Sequence, residues 1–285
     1  MLRLAIRVRR DDAELVLAEL LELAPSGVEE VELGDTIEYA VYGSPGELPA
    51  LPDLRAAAGT ALVEVSTREI PDDWAERWRE FHRPLVLDGQ VTVRPPWEAP
   101  GTTPIDVVID PGRAFGTGAH ATTQLCLELM LELGRQDSNG PLLDLGCGSG
   151  VLGIVAARLG WAPVVAVDND AASVQAAGAN AAVNGVTLDV RRLDLRIDAL
   201  PEAPTILANL LAPLLIAWAA RLGPVVPRCV IASGILVGEI DDVARAFAAS
   251  GLTVAAHRVR GEWAALRLDR AAPSPQPPEA AEALG

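Results

Sequence analysis

The chain contains few residues of the types that bind metal ions or form disulfides. Among its 285 residues there are three cysteines, Cys126, Cys147 and Cys229, and three histidines. The cysteines lie too far apart for the paired spacings of zinc sites and redox motifs, and the histidines are equally scattered. We therefore predict no metal site and interpret the cysteines as small buried thiols of a protein from a reducing compartment.

Long apolar runs are also absent. Charged residues such as Arg158 and Asp168 interrupt each run before it reaches the roughly 18 residues of a membrane-spanning helix. The first ten residues include four arginines and so lack the continuous apolar segment of a signal peptide. The sequence therefore predicts a cytoplasmic protein with no membrane partner.

The chain has fewer basic than acidic residues. The 23 basic residues, all of them arginine, face 39 acidic ones, which gives a formal net charge of -16. Such a surface repels phosphate backbones, so the composition disfavours direct binding of nucleic acid. The charge would attract a basic protein partner, or it serves only to keep the chain soluble. We expect the protein to be a monomer.

Residues 1 to 70 carry a small α+β pattern. Alternating and periodic apolar residues predict the order strand, helix, strand, strand, helix, strand, which is that of a ferredoxin-like domain. The strands are predicted at Leu2–Val8, Val28–Leu33, Thr36–Tyr42 and Leu62–Thr67, and the helices at Ala13–Leu23 and Leu54–Ala58. A linker helix, assigned to residues 71 to 90, is predicted to follow, with its helical pattern running from Asp72 or Asp73 to about His82.

Residues 91 to 270 have a different rhythm, in which apolar strands alternate with alanine-rich helices. This alternation is typical of a parallel α/β sheet. The strands are predicted at Leu142–Leu145, Val164–Val167, Leu188–Arg191, Thr205–Ala208, Cys229–Ser233 and Val254–Val259, with helices between them. Residues 271 to 285, rich in Pro, Ala and Glu, are expected to form a disordered tail.

The sharpest local motif is DLGCGSG, from Asp144 to Gly150, which follows an apolar strand and begins a helix. Glycines at Gly146, Gly148 and Gly150 would let the main chain turn tightly and approach a ligand closely. The next strand ends in Asp168, whose carboxylate can accept both ribose hydroxyls of an adenosine-containing ligand. The combination predicts a nucleoside cofactor.

The cofactor could be a dinucleotide or a sulfonium compound. Gly148–Gly153 also fits the dinucleotide pattern G-x-G-x-x-G, but the match begins two residues after the first glycine of the loop. A pyrophosphate favours a helix N-terminus without nearby negative charge, whereas Asp144 places a carboxylate just before the loop. The negative charge favours the cationic cofactor S-adenosylmethionine over NAD.

Two further segments indicate residues near such a cofactor. The segment Asp110–His120 leads into a helix at Ala121, so it could fold over the cofactor and bring Thr123 near its polar end, although Asp110-Pro-Gly is also an ordinary turn. Asn209 stands where a predicted strand ends, and ligands of open α/β sheets bind outside the carboxyl ends of strands.

Together these segments resemble the bacterial methyltransferase family that modifies ribosomal protein L-eleven (L11) of the large subunit. The resemblance rests on DPGRAFGTGAHATT, DLGCGSG, VDND and ANLLA, and it extends to Asp73–Trp78, Val93–Trp97, Ser233–Ile235 and Gly261–Trp263. It implies a class I, Rossmann-like methyltransferase domain in residues 91 to 270 that binds S-adenosylmethionine. It also implies that the ferredoxin-like domain recognises the substrate.

The resemblance further implies methylation of lysine side chains of ribosomal protein L-eleven, with its N-terminal amine as a further candidate acceptor. Thr123, Gly146, Asp168 and Asn209 match the family's cofactor-binding positions, and Asn209 is a candidate to orient the acceptor amine. His120 is a candidate base. The alternatives are a related enzyme that acts on another protein or a small molecule, an NAD-dependent oxidoreductase, and a noncatalytic nucleoside-binding adaptor.

Overall fold

The fold is given by a computed structural model. It describes residues 2–13, 16, 17, 20, 28–43, 48, 49, 51–69, 83–111, 118, 120–134, 140–223 and 225–271. Within these residues the chain forms three β-sheets, of four, three and seven strands. Part of the predicted Asp110–His120 segment, most of the predicted linker helix and nearly all of the predicted tail lie outside the described residues.

The four-stranded sheet is built from β1 (Leu2–Arg9), β2 (Glu29–Leu33), β3 (Thr36–Gly43) and β4 (Leu62–Glu69) in the order β2-β3-β1-β4. All of its neighbouring strands are antiparallel. Helical residues follow β1, and helix α1 (Leu51–Ala58) precedes β4. The strand order and the antiparallel pairing are consistent with the ferredoxin-like arrangement expected from the sequence, and most of the predicted helix Ala13–Leu23 lies outside the described residues.

This sheet has one apolar face and one charged face because its side chains alternate. Leu4, Ile6 and Val8 are buried in the core, whereas Arg3 and Arg7 lie on the opposite face and both donate hydrogen bonds to Glu38, at 2.7 and 3.0 Å. The hydrogen bond from Arg3, aided by that from Arg7, lowers the pKa of Glu38. The charged face is therefore held by ion pairs across neighbouring strands.

The three-stranded sheet includes the last part of residues 71 to 90, which the sequence analysis assigned as a whole to the linker helix. Leu85–Leu87 forms strand β5, which pairs antiparallel with β6 (Val91–Arg94); β6 then pairs parallel with β7 (Ile105–Val108). Asp88 and Gly89, both with positive φ, form the turn, because Asp-Gly is a preferred hairpin sequence. The helical pattern itself was predicted from Asp72 or Asp73 to about His82, and these residues lie outside the described residues.

The seven-stranded sheet has the order β10-β9-β8-β11-β12-β14-β13. The strands are β8 (Leu142–Leu145), β9 (Val164–Asp168), β10 (Asp189–Arg192), β11 (Thr205–Asn209), β12 (Cys229–Leu236), β13 (Leu252–Arg260) and β14 (Trp263–Arg270). Helices α2 (Ala121–Gly134), α3 (Val151–Arg158), α4 (Ala171–Val183), α5 (Ala212–Ala219) and α6 (Ile240–Ala249) accompany it.

The prediction of a parallel sheet is correct for β8 to β12 and wrong at the last two strands. Strand β14 was not predicted, and it pairs antiparallel with both β12 and β13. The cause is the short turn at Gly261, which has φ 60°. So short a turn reverses the chain, whereas a parallel neighbour requires a long crossover connection.

Apolar layers cover both faces of this sheet, which is why β8 has four buried residues in succession. One layer contains residues of α2 and α3, and the other contains residues of α5 and α6. The three cysteines are buried, as predicted. Among the described residues, no helix has the length and apolar character needed to cross a membrane.

A packing test follows from the second layer. Phe247 of α6 is fully buried and meets the Trp218 ring of α5 edge to face, with ring centroids 5.5 Å apart. We expect Phe247→Ala to lower the free energy of unfolding by about 3–5 kcal/mol, because it removes a large side chain from a closed core. Urea unfolding measures the change. The control Val254→Ala, at a 42% exposed residue, should stay within about 0.5 kcal/mol of the native protein, and equal losses would contradict the assignment.

Candidate functional site

Three of the predicted polar residues lie on neighbouring strands of the seven-stranded sheet. Asp144 is in β8, and Asp168 and Asn209 are the last residues of β9 and β11. Strands β9, β8 and β11 are adjacent and parallel, so their carboxyl ends share one edge. This edge is where ligands of open α/β sheets bind.

The glycine loop is fixed to β9 by main-chain hydrogen bonds. The N–H groups of Gly146 and Cys147 both donate to the carbonyl oxygen of Val167, at 2.8 and 3.0 Å, and the N–H of Gly150 closes the loop on the carbonyl of Cys147. Gly146, Gly148 and Gly150 have φ values of 73°, 51° and 82°. Residues other than glycine rarely adopt this left-handed main-chain conformation, so the loop depends on glycine at all three positions.

Two of these glycines also permit close packing. A Cβ atom on Gly146 would lie 2.4 Å from Cδ2 of Leu210, and one on Gly150 would lie 3.0 Å from Cβ of Ala177. Leu210 directly follows Asn209, so the glycine loop and the end of β11 are in direct contact.

Asp168 is half-buried and its carboxylate is oriented by two main-chain groups. Oδ2 accepts a hydrogen bond from the N–H of Gly148 at 2.9 Å, and Oδ1 accepts one from the N–H of Asp170 at 2.9 Å. Each carboxylate oxygen has a second lone pair. The side chain is therefore held rigidly and retains the capacity to accept two further hydrogen bonds.

Asp144 is fully buried beneath the loop. Its Oδ2 accepts a hydrogen bond from the N–H of Gly153 at 2.9 Å, whereas Oδ1 has no hydrogen-bond partner among the described residues. Burial raises the pKa of Asp144 to about 7; the Gly153 bond acts against this shift and the charge of Asp168 adds to it. The carboxylate lies under the loop and does not reach the surface, so its influence on a ligand is through charge and through the position of α3.

Thr123 and Asn209 come from separate predicted segments, 86 residues apart, and the fold brings them together. Nδ2 of Asn209 donates to Oγ1 of Thr123 at 3.4 Å. Thr123 is buried in the first turn of α2, whereas Asn209 is half-buried at the sheet edge. This bond directs the amide nitrogen of Asn209 inward and leaves its Oδ1 to accept from a ligand.

Ser233 was part of a motif in the sequence, but its position in the site was not predicted. It is fully buried, and its Oγ lies 3.1 Å from the carbonyl oxygen of Thr122 and 3.2 Å from that of Ala264. It therefore connects the start of α2 with strands β12 and β14. The next residue, Gly234, has φ 82°, and a Cβ there would lie 2.5 Å from the carbonyl oxygen of Leu210.

His120 lies immediately before α2. Its Nδ1 is 2.8 Å from Oγ1 of Thr122, and its ring meets the Trp263 ring edge to face at a centroid distance of 5.1 Å. Burial lowers the pKa of His120, so the imidazole is neutral at pH 7. Trp263 begins the unpredicted strand β14, which is why the sequence alone did not associate these two rings.

A separate cavity of about 520 Å³ lies near the other edge of the sheet. Its walls include Leu143, Ile206, Trp218 and Arg270. These residues surround the amino ends of β8 and β11, away from the glycine loop. The cavity therefore does not belong to the candidate site.

The architecture defines the class. A sheet in which antiparallel β14 lies between β12 and β13, with a glycine loop after β8 and an acid at the end of β9, has the fold of class I S-adenosylmethionine-dependent methyltransferases. The crystal structure of ribosomal protein L11 methylase from Lactobacillus delbrueckii subsp. bulgaricus is similar, with a TM-score of 0.59 and 29% sequence identity. The similarity covers 66% of this chain and 99% of that one.

Sequence comparison then gives the family. Residues 52–271 match the family described as "Ribosomal protein L11 methyltransferase (PrmA)", and the chain belongs to this family. Proteins named ribosomal protein L11 methyltransferase are 38% identical over 206 residues in Heliobacterium modesticaldum, 40% over 223 in Geobacter sulfurreducens and 34% over 304 in Syntrophotalea carbinolica.

These matches differ in extent. They cover 70%, 76% and 93% of this chain, and 65%, 73% and 96% of the respective relatives. The Heliobacterium match thus spans just under two thirds of that relative's length. The family assignment rests on the match over residues 52–271, which include the seven-stranded sheet and the site.

The buried carboxyl of Asp144 predicts a pH dependence of stability. Its pKa is about 7 in the folded protein against an ordinary value of 3.8, so the folded state binds more protons than the unfolded state between these pH values. The contribution of this carboxyl to the free energy of unfolding therefore falls as the pH rises from about 4 to 7.

Asp144→Asn keeps an oxygen for the N–H of Gly153 but cannot ionise. We expect the difference in the free energy of unfolding, variant minus native protein, to be more positive at pH 8 than at pH 5, which means that the variant gains stability relative to the native protein as the pH rises. Urea unfolding of both proteins at the two pH values measures this difference. A difference that is the same at pH 5 and pH 8 would show that Asp144 does not titrate in this range.

The contact between Gly146 and Leu210 predicts a second stability effect. Gly146→Ala introduces both left-handed strain and the 2.4 Å overlap with Leu210. Gly185 has a similar φ of 63° with nothing within 4 Å of its added Cβ, so Gly185→Ala introduces only the strain. We expect the unfolding free energy of Gly146→Ala to lie about 1–3 kcal/mol below that of Gly185→Ala. Matched urea curves test this, and equal stabilities would exclude the overlap.

Proposed function

We propose that this chain transfers methyl groups from S-adenosylmethionine to lysine side-chain amines of ribosomal protein L11, and to its N-terminal amine. The observation that carries the proposal is the site itself: in a member of this family, Asp168, the glycine loop and the Asn209–Thr123 pair meet at the carboxyl edge of the sheet. The proposal is an alternative to the two other hypotheses from the sequence, an NAD-dependent oxidoreductase and a noncatalytic nucleoside-binding adaptor.

The residues of the site fit S-adenosylmethionine. The oriented carboxylate of Asp168 suits the two ribose hydroxyls, and the loop at Gly146, Gly148 and Gly150 lets the cofactor approach the main chain. Where the Asp144 carboxyl, with its pKa of about 7, is ionised, its negative charge favours a cation over a pyrophosphate. When bound, the cofactor supplies an electrophilic methyl group on a positively charged sulfur.

The acceptor amine sets the chemical requirement for the enzyme. A lysine ammonium with a pKa of about 10.4 must lose a proton, which costs roughly 4.6 kcal/mol at pH 7. Burial beside a cationic cofactor reduces this cost. We propose that Oδ1 of Asn209 accepts a hydrogen bond from the amine and so aligns its lone pair with the methyl group. The neutral ring of His120 is the candidate acceptor for the proton.

We propose that residues 1 to 70 form the substrate-recognition domain and residues 91 to 270 the methyltransferase domain. A chain with a net charge of -16 is electrostatically suited to a basic protein substrate. The expected cytoplasmic location, the monomeric state and the lack of direct nucleic-acid binding remain predictions.

One observation favours a second candidate function. The family match begins at residue 52, so most of the proposed recognition domain lies outside it, whereas the Syntrophotalea relative matches 93% of this chain at 34% identity. The second candidate is therefore a class I methyltransferase that keeps this cofactor site but acts on another protein or on a small molecule.

The test is incubation with labelled S-adenosylmethionine and purified, unmethylated L11, followed by mass mapping. The chain contains no lysine, so any methyllysine must belong to the substrate. We expect label on lysines of L11, and at least a hundredfold slower labelling by Asp168→Ala, which loses both ribose acceptors. Asp168→Asn, which keeps one acceptor oxygen, should be intermediate.

The other outcomes are informative. Cofactor binding in calorimetry with no label on L11 would reject the proposed substrate and favour the second candidate. Absence of S-adenosylmethionine binding by the native chain would reject methyl transfer altogether.

A further inference from the structure

Asn180 in α4 and Asn184, which caps the carboxyl end of that helix, were not singled out by the sequence, and both bind the main chain of other segments. Asn180 is 4% exposed: its Nδ2 donates to the carbonyl oxygen of Ser149 at 2.9 Å, and its Oδ1 accepts from the N–H of Asp110 at 3.1 Å. Ser149 belongs to the glycine loop, and Asp110 begins the segment that ends at His120. One buried amide therefore contacts the main chain at both places.

Asn184 lies one helical turn further along the same helix face. Its Oδ1 accepts from the N–H of Val108 at 2.8 Å, and its Nδ2 donates to the carbonyl oxygen of Val108 at 2.6 Å. Strand β7 is at the edge of its sheet as far as the described residues show. The side chain of Asn184 thus takes the place of a neighbouring strand at Val108.

The spacing of the two asparagines matches the spacing of their partners. Four residues of an α-helix advance about 6 Å along its axis, and two residues of extended chain advance about 6.6 Å. Val108 and Asp110 are two residues apart, and their N–H groups point to the same side because that of Ile109 points to the carbonyl of Arg94. The pair Asn180 and Asn184 is therefore in register with this stretch of main chain.

We propose that Asn180 is a positioning residue of the cofactor site, whose buried amide sets the distance between the main chain of the glycine loop at Ser149 and the main chain at Asp110, just beyond β7. The inference rests on the proposed function in so far as the ligand is S-adenosylmethionine. Asn180 acts through the Ser149 carbonyl and the Asp110 N–H and does not contact the ligand. Asn184 contacts Val108 and not the glycine loop, so it provides a matched control from the same helix.

Three variants separate the two contacts. Asn180→Ala removes both of them. Asn180→Asp keeps an oxygen to accept from Asp110. At an alkaline pH, where the buried carboxyl is ionised, it loses the donor to Ser149, and its added negative charge would by itself favour a cationic ligand. Asn184→Ala removes only the contacts to Val108 and to the carbonyl of Asn180. Weaker binding by Asn180→Asp would therefore arise from the lost bond and not from the charge.

The measurements are calorimetric titration with S-adenosylmethionine, thermal unfolding and amide hydrogen exchange. We expect at least tenfold weaker binding by both Asn180 variants and a change of less than about threefold for Asn184→Ala, even where the loss in Tm is similar. The amide of Asp110 should exchange faster in Asn180→Ala and remain protected in Asn180→Asp. The kcat of Asn180→Asp, measured at saturating cofactor, should lie within about threefold of the native value.

Binding by both Asn180 variants that is as tight as that of Asn184→Ala would overturn the inference. If Asn180→Ala does not fold, the isosteric Asn180→Asp still decides the Ser149 contact. If the native protein does not bind S-adenosylmethionine, the proposed function fails separately. Amide exchange then tests the remaining structural claim, that Asn180 holds the main chain at Asp110. Unchanged protection of the Asp110 amide in Asn180→Ala would overturn that claim.

Discussion

The candidate site depends on the close packing of Leu210 between two glycines. Its side chain lies against Gly146 of the glycine loop, and its carbonyl oxygen lies against Gly234 at the bend in β12; a Cβ at either glycine would come within 2.5 Å of it. The N–H of Leu210 also donates to the carbonyl of Ser233 at 2.9 Å. These contacts join the ends of β8, β11 and β12. Because Asn209 precedes Leu210, its position is fixed by packing on both sides.

The remaining polar groups of the site are aligned by main-chain hydrogen bonds. The carbonyl of Val167 holds the first two N–H groups of the glycine loop, and the N–H of Gly148 then reaches Asp168. Loop and carboxylate position each other, so neither needs the ligand to adopt its conformation. A site that is already arranged loses little conformational freedom when a ligand binds.

The sequence predicted the parts of the site whose determinants are local. The glycines and Asp168 follow apolar strands within one short stretch, and the strand-to-helix turn requires those residue types. The contact between Thr123 and Asn209 was expected only as a common location, because 86 residues separate them. Asn180 carried no local signal, since its partners are main-chain groups 31 and 70 residues away. An asparagine within an alanine-rich helix is indistinguishable from a surface residue until its neighbours are known.

The errors in the fold have the same origin. Leu85–Leu87 is too short to show a period of its own, and only its pairing with β6 makes it a strand. In β14 the period-2 signal is weak because two consecutive alanines, Ala264 and Ala265, are both fully buried. These residues form a strand because they pair with β12 and β13, and such long-range pairing has no signal in the local sequence.

The burial of Asp144 illustrates how function constrains stability in this fold. An apolar residue of similar size would remove the desolvation cost that raises its pKa to about 7 and would leave the N–H of Gly153 as the group to satisfy. The carboxylate therefore adds a cost to the empty protein that grows with pH. A positively charged ligand above the loop repays part of this cost through Coulomb attraction, whereas a neutral thioether product repays less. Because a ligand stabilises the state that it binds, we infer, on the proposed function, that the charge that destabilises the empty site favours the sulfonium cofactor over its thioether product.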